Sequence, residues 1–191
     1  MNPNQLKGKK VVGSDGYILG EMSELYVDLD TWQATAFYVI LNDEATAELD
    51  FKKPFLHKIM VCLPTPLIKA VGDMITLTEP LRNLKGIAEK ETPLNLVKLE
   101  SKKVVGAKGY VVGEVEGLDV DFSSWQVTGL QVGLTDDTAT ELGFKRPFIS
   151  KVVVIIPSNV VSAVGNFITL DKAVENLKSL VECIRSCQKQ S

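Results

Sequence analysis

The sequence predicts a mainly β protein made of two similar domains, and two observations carry this prediction. A stretch of twenty residues occurs twice, at 9–28 and again at 102–121. Both copies contain short runs of β-branched and aliphatic residues that alternate with clusters of glycine, proline and polar residues. Such clusters between short apolar runs are typical of strands joined by tight turns.

The repeat continues through most of the chain without a gap. Val104 minus Val11 gives a shift of 93 positions. The same shift matches four further pairs: Trp32 with Trp125, Pro54 with Pro147, Pro64 with Pro157, and Gly72 with Gly165. We therefore predict a duplicated domain, with a first copy at 1–85, a linker at 86–93 and a second copy at 94–191.

The first predicted element is a hairpin. The apolar runs 11–12 and 17–19 are separated by Gly13-Ser14-Asp15-Gly16, and glycines adopt positive φ at little cost. The second copy keeps both glycines but has Ala107-Lys108 between them, so the requirement concerns backbone conformation. A phosphate-binding loop would need a helix next, whereas β-branched and alternating residues follow here.

A second hairpin is predicted directly after the first. Leu25, Val27 and Leu29 alternate with polar residues and tyrosine, which is typical of a strand with one buried face. Turns at 30–33 and 123–126, each containing a tryptophan, then lead into the predicted strands 35–41 and 128–134.

The second half of each copy is predicted to close the sheet. Residues 42–50 form a long connection or a short helical turn. The most continuous aliphatic runs, 58–63 and 151–156, end at prolines and are predicted to be the most buried strands. In the first copy a helical turn at 66–71 and a closing strand at 74–77 follow.

The two copies are predicted to end in helices of different length. The first helix, 81–85, stops at Gly86, and the charged segment 86–93 is the predicted linker. The second is predicted over 172–189, and we expect its apolar stripe to pack across the copies or against a second chain. The stripe consists of Ala173, Leu177, Leu180, Val181 and Ile184.

Composition narrows the classes of partner. The chain has 191 residues and a formal net charge of -3, so it lacks the basic field that holds nucleic-acid phosphates. The polar N-terminus and the short aliphatic runs predict a soluble, cytoplasmic protein without membrane insertion. Cys183 and Cys187 are four residues apart and Cys62 is remote from them, which indicates no metal site.

The sequence gives little support for a catalytic site. His57 is the only histidine, and no partners for a triad or a metal site can be placed near it. Asp28 and Asp121 recur at equivalent positions, but an aspartate beside a turn usually accepts backbone N–H bonds. We therefore predict neither catalytic residues nor a cofactor.

Aromatic residues near turns are the candidates for partner binding. The segments 51–55 and 144–148 each combine phenylalanines, a proline and basic residues. Their rings either plug the ends of the domains or present anchors to a partner, where aromatic and Arg residues dominate binding energy. The turn tryptophans have the same two readings. The candidate partner-binding residues are Trp32, Phe55, Trp125, Arg146 and Phe148.

Several motifs together resemble the PRC-barrel family. They are the Gly-x-x-Gly hairpin, Val27-Asp28 after the second strand, the aliphatic run that ends at Pro64, and residues 71–75. The family is named for the cytoplasmic domain of the photosynthetic reaction centre H subunit, and its fold also forms the C-terminal half of the ribosome maturation factor RimM. The resemblance covers about 6–84 and 99–177. It implies two tandem six-stranded antiparallel PRC-type β-barrels, each with a short C-terminal helix.

The resemblance also implies a function. A tandem pair of such barrels is similar to free-standing archaeal PRC-barrel proteins, some of which act in cell division with the membrane-tethered adaptor SepF and the FtsZ ring. It implies a non-enzymatic adaptor or scaffold in the cytoplasm, at the division site. The implied partners are a SepF-like protein and further copies of the chain or a paralogue, in an oligomer or polymer.

Two other functions remain open at this stage. The first is a role in RNA or ribosome assembly like that of the RimM half, although the chain has a second barrel in place of that factor's other domain. The second is a small-molecule enzyme, for which no nucleophile has an evident base nearby.

Overall fold

The structure is a computed structural model that describes residues 6–52, 58–88, 99–145 and 150–185. The chain divides into two compact units, Pro3–Leu96 and Val97–Ser191, which we call the first unit and the second unit. Each unit is mainly β, as the sequence predicts.

The first unit contains a six-stranded sheet. Its strands are β1 (Lys10–Val12), β2 (Ile18–Asp28), β3 (Gln33–Leu41), β4 (Met60–Pro64), β5 (Ile68–Val71) and β6 (Ile75–Leu77). Within this unit they pair in the order β4-β3-β2-β1-β6-β5. All pairs are antiparallel except β1 with β6, which run parallel. The sheet is therefore mostly antiparallel, and the chain between β1 and β6 is long enough for the crossover that a parallel pair needs.

The second unit repeats this order and adds a strand. Its strands are β7 (Lys103–Val105), β8 (Val111–Asp121), β9 (Gln126–Leu134), β10 (Val153–Pro157), β11 (Val161–Val164), β12 (Ile168–Leu170) and β13 (Glu182–Arg185). β7 and β12 are the parallel pair, and β13 lies antiparallel beside β10. Among the described residues, no pairing joins β4 to β5 or β10 to β11.

Short helices connect the strands. They are α1 (Asp43–Glu48), α2 (Lys85–Ala88), α3 (Asp136–Glu141) and α4 (Val174–Leu177). Asn42 caps α1 by accepting a 2.7 Å bond from the Ala45 N–H, and Thr135 caps α3 in the same way through the Thr138 N–H. These caps satisfy N–H groups that a helix start leaves unpaired.

The expected long C-terminal helix at 172–189 is wrong. Helix α4 ends at Leu177, and the chain then forms β13, in which Cys183 is in register with Val154. Val181 and Cys183 are half-buried and alternate with the exposed Glu182 and Ile184, which is the period of a strand. The edge of β10 offers backbone hydrogen bonds that outweigh the helical spacing of the apolar residues.

Three smaller expectations also change. The helical turn expected at 66–71 is confined to a 3₁₀ turn at Thr65–Leu67, because β5 begins at Ile68. Gly86 lies inside α2 and does not end a helix, while most of the expected linker lies outside the described residues. The longest buried runs are in β3 and β9, and not in the expected runs 58–63 and 151–156.

In each unit, two neighbouring strands approach each other closely at a glycine. Gly20 on β2 is in register with Leu41 on β3, and a Cβ at Gly20 would lie 1.9 Å from the Ile40 carbonyl oxygen. A Cβ at Gly113 would lie 2.3 Å from the Gly133 carbonyl oxygen. Only glycine permits this approach, which explains why both copies keep it.

Candidate functional site

The β1–β2 hairpin is fixed to the end of its own unit. In the first unit Asp15 accepts a 3.1 Å bond from the Leu81 N–H. In the second unit Lys108 occupies the equivalent position and forms an ion pair with Glu175. The hydrogen bond between them raises the pKa of Lys108 and lowers the pKa of Glu175. Different chemistry therefore holds the same hairpin in place.

A lysine at the start of each unit orders the turn before the last strand. Lys102 Nζ donates a 2.6 Å bond to the Gly165 carbonyl, and Lys9 bonds the Gly72 carbonyl in the same way. The Gly165 N–H donates to the Phe167 carbonyl at 2.9 Å. This turn presents Met74 in the first unit and Phe167 in the second, both at the surface.

The two turn tryptophans occupy an unusual backbone conformation. Trp32 has φ 53° and Trp125 has φ 59°, in the left-handed region that costs a non-glycine residue about 1–2 kcal/mol. Trp125 packs edge-on against Phe122 with ring centroids 5.3 Å apart. Both indoles are half-buried, so each remains partly accessible.

Asp28 and Asp121 act as turn residues. Asp28 accepts bonds from the N–H groups of Asp30 and Thr31, at 2.9 and 3.2 Å. Asp121 accepts a 2.7 Å bond from the Ser123 hydroxyl, and bonds from the Ser123 N–H and the Ser124 hydroxyl. The serine hydrogen bonds lower the pKa of Asp121. This is the local role that the sequence predicts for both aspartates.

The other predicted candidates lie outside the described residues. They are Phe55, Arg146 and Phe148, together with His57. Their partner-binding or structural roles stay predictions.

A different surface emerges from the register of the strands. On β1 and β2, Val12 is paired with Ile18, and Lys10 is paired with Glu21. Val12 is also in register with Thr76 of β6, and Met74 immediately precedes this strand. The register shifts between Val11 and Val12, so Ile18 and Glu21, which are three residues apart, lie opposite Val12 and Lys10. We call Lys10, Val12, Ile18, Glu21, Met74 and Thr76 the outer face of the first unit; within it Val12 is buried, while Ile18 and Met74 are exposed.

The second unit has an equivalent outer face. Val105 is paired with Val111, and Lys103 with Glu114, while Val105 is in register with Thr169 of β12. Phe167 immediately precedes β12, as Met74 immediately precedes β6. The outer face of the second unit consists of Lys103, Val105, Val111, Glu114, Phe167 and Thr169.

Among the residues that the structure describes, the exposed large apolar side chains lie mostly at equivalent positions of the two copies. Six of the nine form three matched pairs around the hairpins and outer faces. They are Tyr17 (38% exposed) with Tyr110 (68%), Ile18 (39%) with Val111 (44%), and Met74 (47%) with Phe167 (53%). A single exposed apolar side chain is ordinary, but here three of them recur at the same places in both copies.

A groove adjoins the outer face of the first unit. It has a volume of about 300 Å³. The Asn42 side chain closes one side of it by donating a 2.7 Å bond to the Ile18 carbonyl. Two lysines and two carboxylates surround its apolar floor, so the groove has no net charge: Lys10, Lys58, Glu21 and Glu44. The second copy retains the same signs with Lys103, Lys151, Glu114 and Asp137.

One signal in the sequence would have revealed this surface. Tyr17-Ile18-Leu19 and Tyr110-Val111-Val112 are consecutive apolar residues on a strand, and consecutive strand residues point to opposite sides of the sheet. One side chain of each run must therefore face away from the unit's core. Sequence reasoning noted these runs only as strand formers.

Side chains that ligate metals do not gather in the part of the chain that the structure describes: no three His, Cys, Asp or Glu residues form a possible site there. Within the same residues, no helix has both the length and the apolar character needed to cross a membrane.

Comparison with known proteins adds no relative. The sequence matches no model of a known protein family, and a search of curated proteins finds no match. The class that the fold defines is thus a duplicated, mainly β protein that exposes apolar side chains at equivalent positions of its two copies.

Proposed function

We propose that this chain is a non-enzymatic protein–protein interaction module, an adaptor or scaffold that binds through the outer faces of its two units. The observation that carries the proposal is the repetition of exposed apolar side chains at equivalent positions of both copies. Exposed apolar surface costs free energy in water, about 25 cal/mol per Å². A protein that exposes it twice gains when a partner covers it.

The charge of the outer faces favours a protein over a nucleic acid. The groove of the first unit has as many lysines as carboxylates, and the second copy has the same charges at the equivalent positions, whereas binding to a phosphate backbone requires a surplus of positive charge. An apolar patch bordered by charges of both signs is the usual composition of a protein interface, with an apolar centre and a polar rim.

The finer fold and the narrower role rest on the PRC-barrel resemblance. We propose that each unit's sheet forms a small PRC-type barrel. The narrower function is that of a cytoplasmic adaptor at the division site, which links a SepF-like protein to FtsZ-based archaeal cell division. The support for this role is the tandem arrangement and the motifs that the two copies share.

The test is affinity capture of the tagged full chain from its own cells. The test variant carries Ile18→Glu, Met74→Glu, Val111→Glu and Phe167→Glu, which places charge at four matched positions. The control variant carries Ala47→Glu and Thr140→Glu, at exposed equivalent positions of α1 and α3. We expect the wild type and the control to recover the same protein, a SepF-like adaptor, and the test variant to lose it.

Two results would overturn the proposal. If the test variant, folded by circular dichroism, recovered the same proteins as the wild type, the outer faces would not be the binding surface. If the wild type recovered ribosomal particles through contacts that persist in moderate salt, the alternative role in ribosome assembly would replace it.

A further inference from the structure

We propose that the groove of the first unit receives an extended segment of a partner protein. This segment pairs with β4, as β13 pairs with β10 in the second unit, and it places an apolar side chain over Ile40. The site consists of the backbone of β4 and the floor of the groove. The inference therefore goes beyond the proposed function of the outer faces, and it stands or fails independently of that function.

The second unit shows what the edge of this sheet accepts. β13 lies antiparallel beside β10, with Val153 opposite Arg185 and Ile155 opposite Glu182. In the first unit β4 is the equivalent of β10, and within the described ranges its only strand neighbour is β3. A strand with one neighbour directs alternate N–H and C=O groups outward. Extended peptide segments bind such an edge by adding a strand to the sheet.

The backbone of Met60 faces this edge. The Leu41 N–H donates a 2.9 Å bond to the Ile59 carbonyl, so Ile59 directs its backbone groups to β3. Successive residues of a strand direct these groups to opposite sides, and the N–H and C=O of Met60 therefore point away from β3. Met60 is 51% exposed, whereas its equivalent Val153, beside β13, is 2% exposed. The position that is covered on β10 is thus open on β4.

Within the second unit, an ion pair covers the position that corresponds to the groove floor. Gly133 on β9, Val153 on β10 and Arg185 on β13 form one row across the strands. Gly133 has no side chain, and the Glu116 carboxylate lies over it, where a Cβ would clash with that carboxylate. Glu116 also forms an ion pair with Arg185. The added strand is therefore recognised here through a charged side chain.

The first unit has different chemistry at the same place. Ile40 takes the position of Gly133, and Ser23 takes that of Glu116. Ile40 lies on the floor of the groove and is opposite Met60 of β4, so the two side chains share one face of the sheet. A strand added to β4 gains most from an apolar side chain opposite Met60, because that side chain buries apolar surface against both residues.

The first experiment measures which peptide the full chain binds. Two fluorescently labelled peptides copy residues 180–186 with Cys183→Val, and one of them also carries Arg185→Leu. Fluorescence anisotropy should show that the leucine peptide binds about tenfold more tightly, because the arginine peptide lacks the carboxylate of Glu116 on the first unit. Equal affinity, tighter binding of the arginine peptide, or no binding of either peptide would overturn the proposal.

Two variants of Met60 test the role of the backbone. Met60→Pro and Met60→Ala both remove the side chain, but only proline removes the N–H that faces the edge. β4 tolerates proline there because Met60 is the first residue of the strand. The proline variant should bind the leucine peptide about tenfold more weakly than the alanine variant. Equal affinities of the two variants would contradict strand addition. Circular dichroism establishes that both are folded.

Methylated peptides repeat this test on the unaltered protein. Glu182 is in register with Ile155, whose backbone groups face β13, and Cys183 is in register with Val154, whose groups face β9. An N-methyl group at the position of Glu182 therefore blocks an amide that pairs with the sheet, and it should abolish binding of the leucine peptide. The same group at the position of Cys183 blocks an amide that faces away, and binding should remain. Equal effects of the two methyl groups would overturn the proposal.

Hydrogen exchange locates the bound peptide. In the free chain the amides of β4 should exchange faster than those of β10, and the leucine peptide should slow exchange in β4 alone. If the β4 amides are already as protected as those of β10, the chain itself or a second copy covers the edge, and the proposal is wrong. Slower or faster exchange only in β10 would mean that the peptide has replaced β13, which also overturns it. Peptide binding at β4, together with an unchanged captured partner on substitution of the outer faces, would refute the proposed function and leave this inference standing.

Discussion

At the scale of single residues, the turn tryptophan of each copy adopts a strained backbone conformation. A left-handed φ favours glycine, yet Trp32 and Trp125 both adopt it. The turn would form more easily with glycine, so the indole must contribute something that offsets the backbone strain. For Trp125 part of that contribution is the contact with Phe122.

The first prediction isolates this strain. Trp125→Gly and Trp125→Ala both remove the indole, but only glycine accepts φ 59° without strain. We expect the glycine variant to be more stable than the alanine variant by about 0.5–1 kcal/mol in chemical denaturation. Thr128 is an exposed residue of β9 outside the left-handed region. At this position the alanine variant should be more stable than the glycine variant. Equal stability of the two Trp125 variants would contradict the strain argument.

Tyr38 is a second residue with a measurable consequence. It is buried in a small cluster with Ala36 and Cys62, against which Tyr26 packs. Burial, followed by the proximity of Cys62, raises the pKa of Tyr38 from 10.0 to about 12. The folded state therefore holds the phenol proton at pH values at which the unfolded state has released it.

We predict from this pKa that Tyr38 makes the protein sensitive to alkali. Its contribution to stability is fully present below pH 10 and is lost as the pH rises from about 10 to about 12. The free energy of unfolding should fall over this window, and Tyr38→Phe should reduce the fall. The ultraviolet absorbance of phenolate checks the cause, since the variant should lack one tyrosine that titrates near pH 12. An unchanged titration would refute the prediction.

At the scale of elements, the sequence predicts strands better than it predicts the C-terminal segment. The hairpin with Gly13 and Gly16 and the tryptophan turns are confirmed because local backbone requirements determine them. The helix at 172–189 failed because apolar residues at 177, 180, 181 and 184 fit a helical stripe, while the edge of β10 selects a strand through long-range pairing. A pattern confined to one segment does not contain that information.

The outer faces were missed for a related reason. Each combines residues of the first hairpin, such as Val111, with residues at the last strand of the first six, such as Thr169, which are distant along the chain. Their adjacency depends on the parallel pairing of the first and last strands of the unit, which no local pattern encodes. The repeat itself still marks them, because positions kept apolar in both copies include those that the fold exposes.

The pairing of β13 with β10 leads to the third prediction. A chain that ends after Leu180 lacks β13, so the edge of β10 loses its neighbour in the described structure. Amides of residues 153–155 should exchange hydrogen faster than in the full chain, as measured by mass spectrometry of deuterium uptake. A chain that ends after Arg185 retains β13 and should keep the protection. Equal protection in the two truncated chains would show that β13 contributes nothing to β10.

At the scale of the whole molecule, duplication provides two versions of one design. Both units keep the glycine at which two neighbouring strands approach closely, and the lysine that bonds the turn before β6 or β12. Both also keep the helix cap and the outer face. The features that differ are the hairpin attachment, through Asp15 or Lys108, and the buried cluster around Tyr38, where the second copy has Gln131. Divergence at these positions shows that the units share an architecture while their surfaces and cores are adjusted separately.

The last prediction concerns how the two units unfold. Gly20→Ala forces a Cβ against the Ile40 carbonyl, and Gly113→Ala forces one against the Gly133 carbonyl. Each should destabilise its own unit by about 1–3 kcal/mol. The melting temperature of that unit should fall by about 4–8 °C for each kcal/mol, as for a domain of this size. In differential scanning calorimetry each variant should therefore split off a low-temperature transition that carries about half of the total enthalpy, since enthalpy scales with residue number.

The chain supplies its own controls for this experiment. A Cβ at Gly72 or Gly165 meets no atom within 4 Å, so Gly72→Ala and Gly165→Ala should leave the thermogram nearly unchanged. A single transition that moved as a whole in the Gly20 and Gly113 variants would mean that the units unfold as one cooperative body. Separate transitions would instead show that each copy carries a complete core. A face on one unit can then be altered, as the binding experiments require, without unfolding the other.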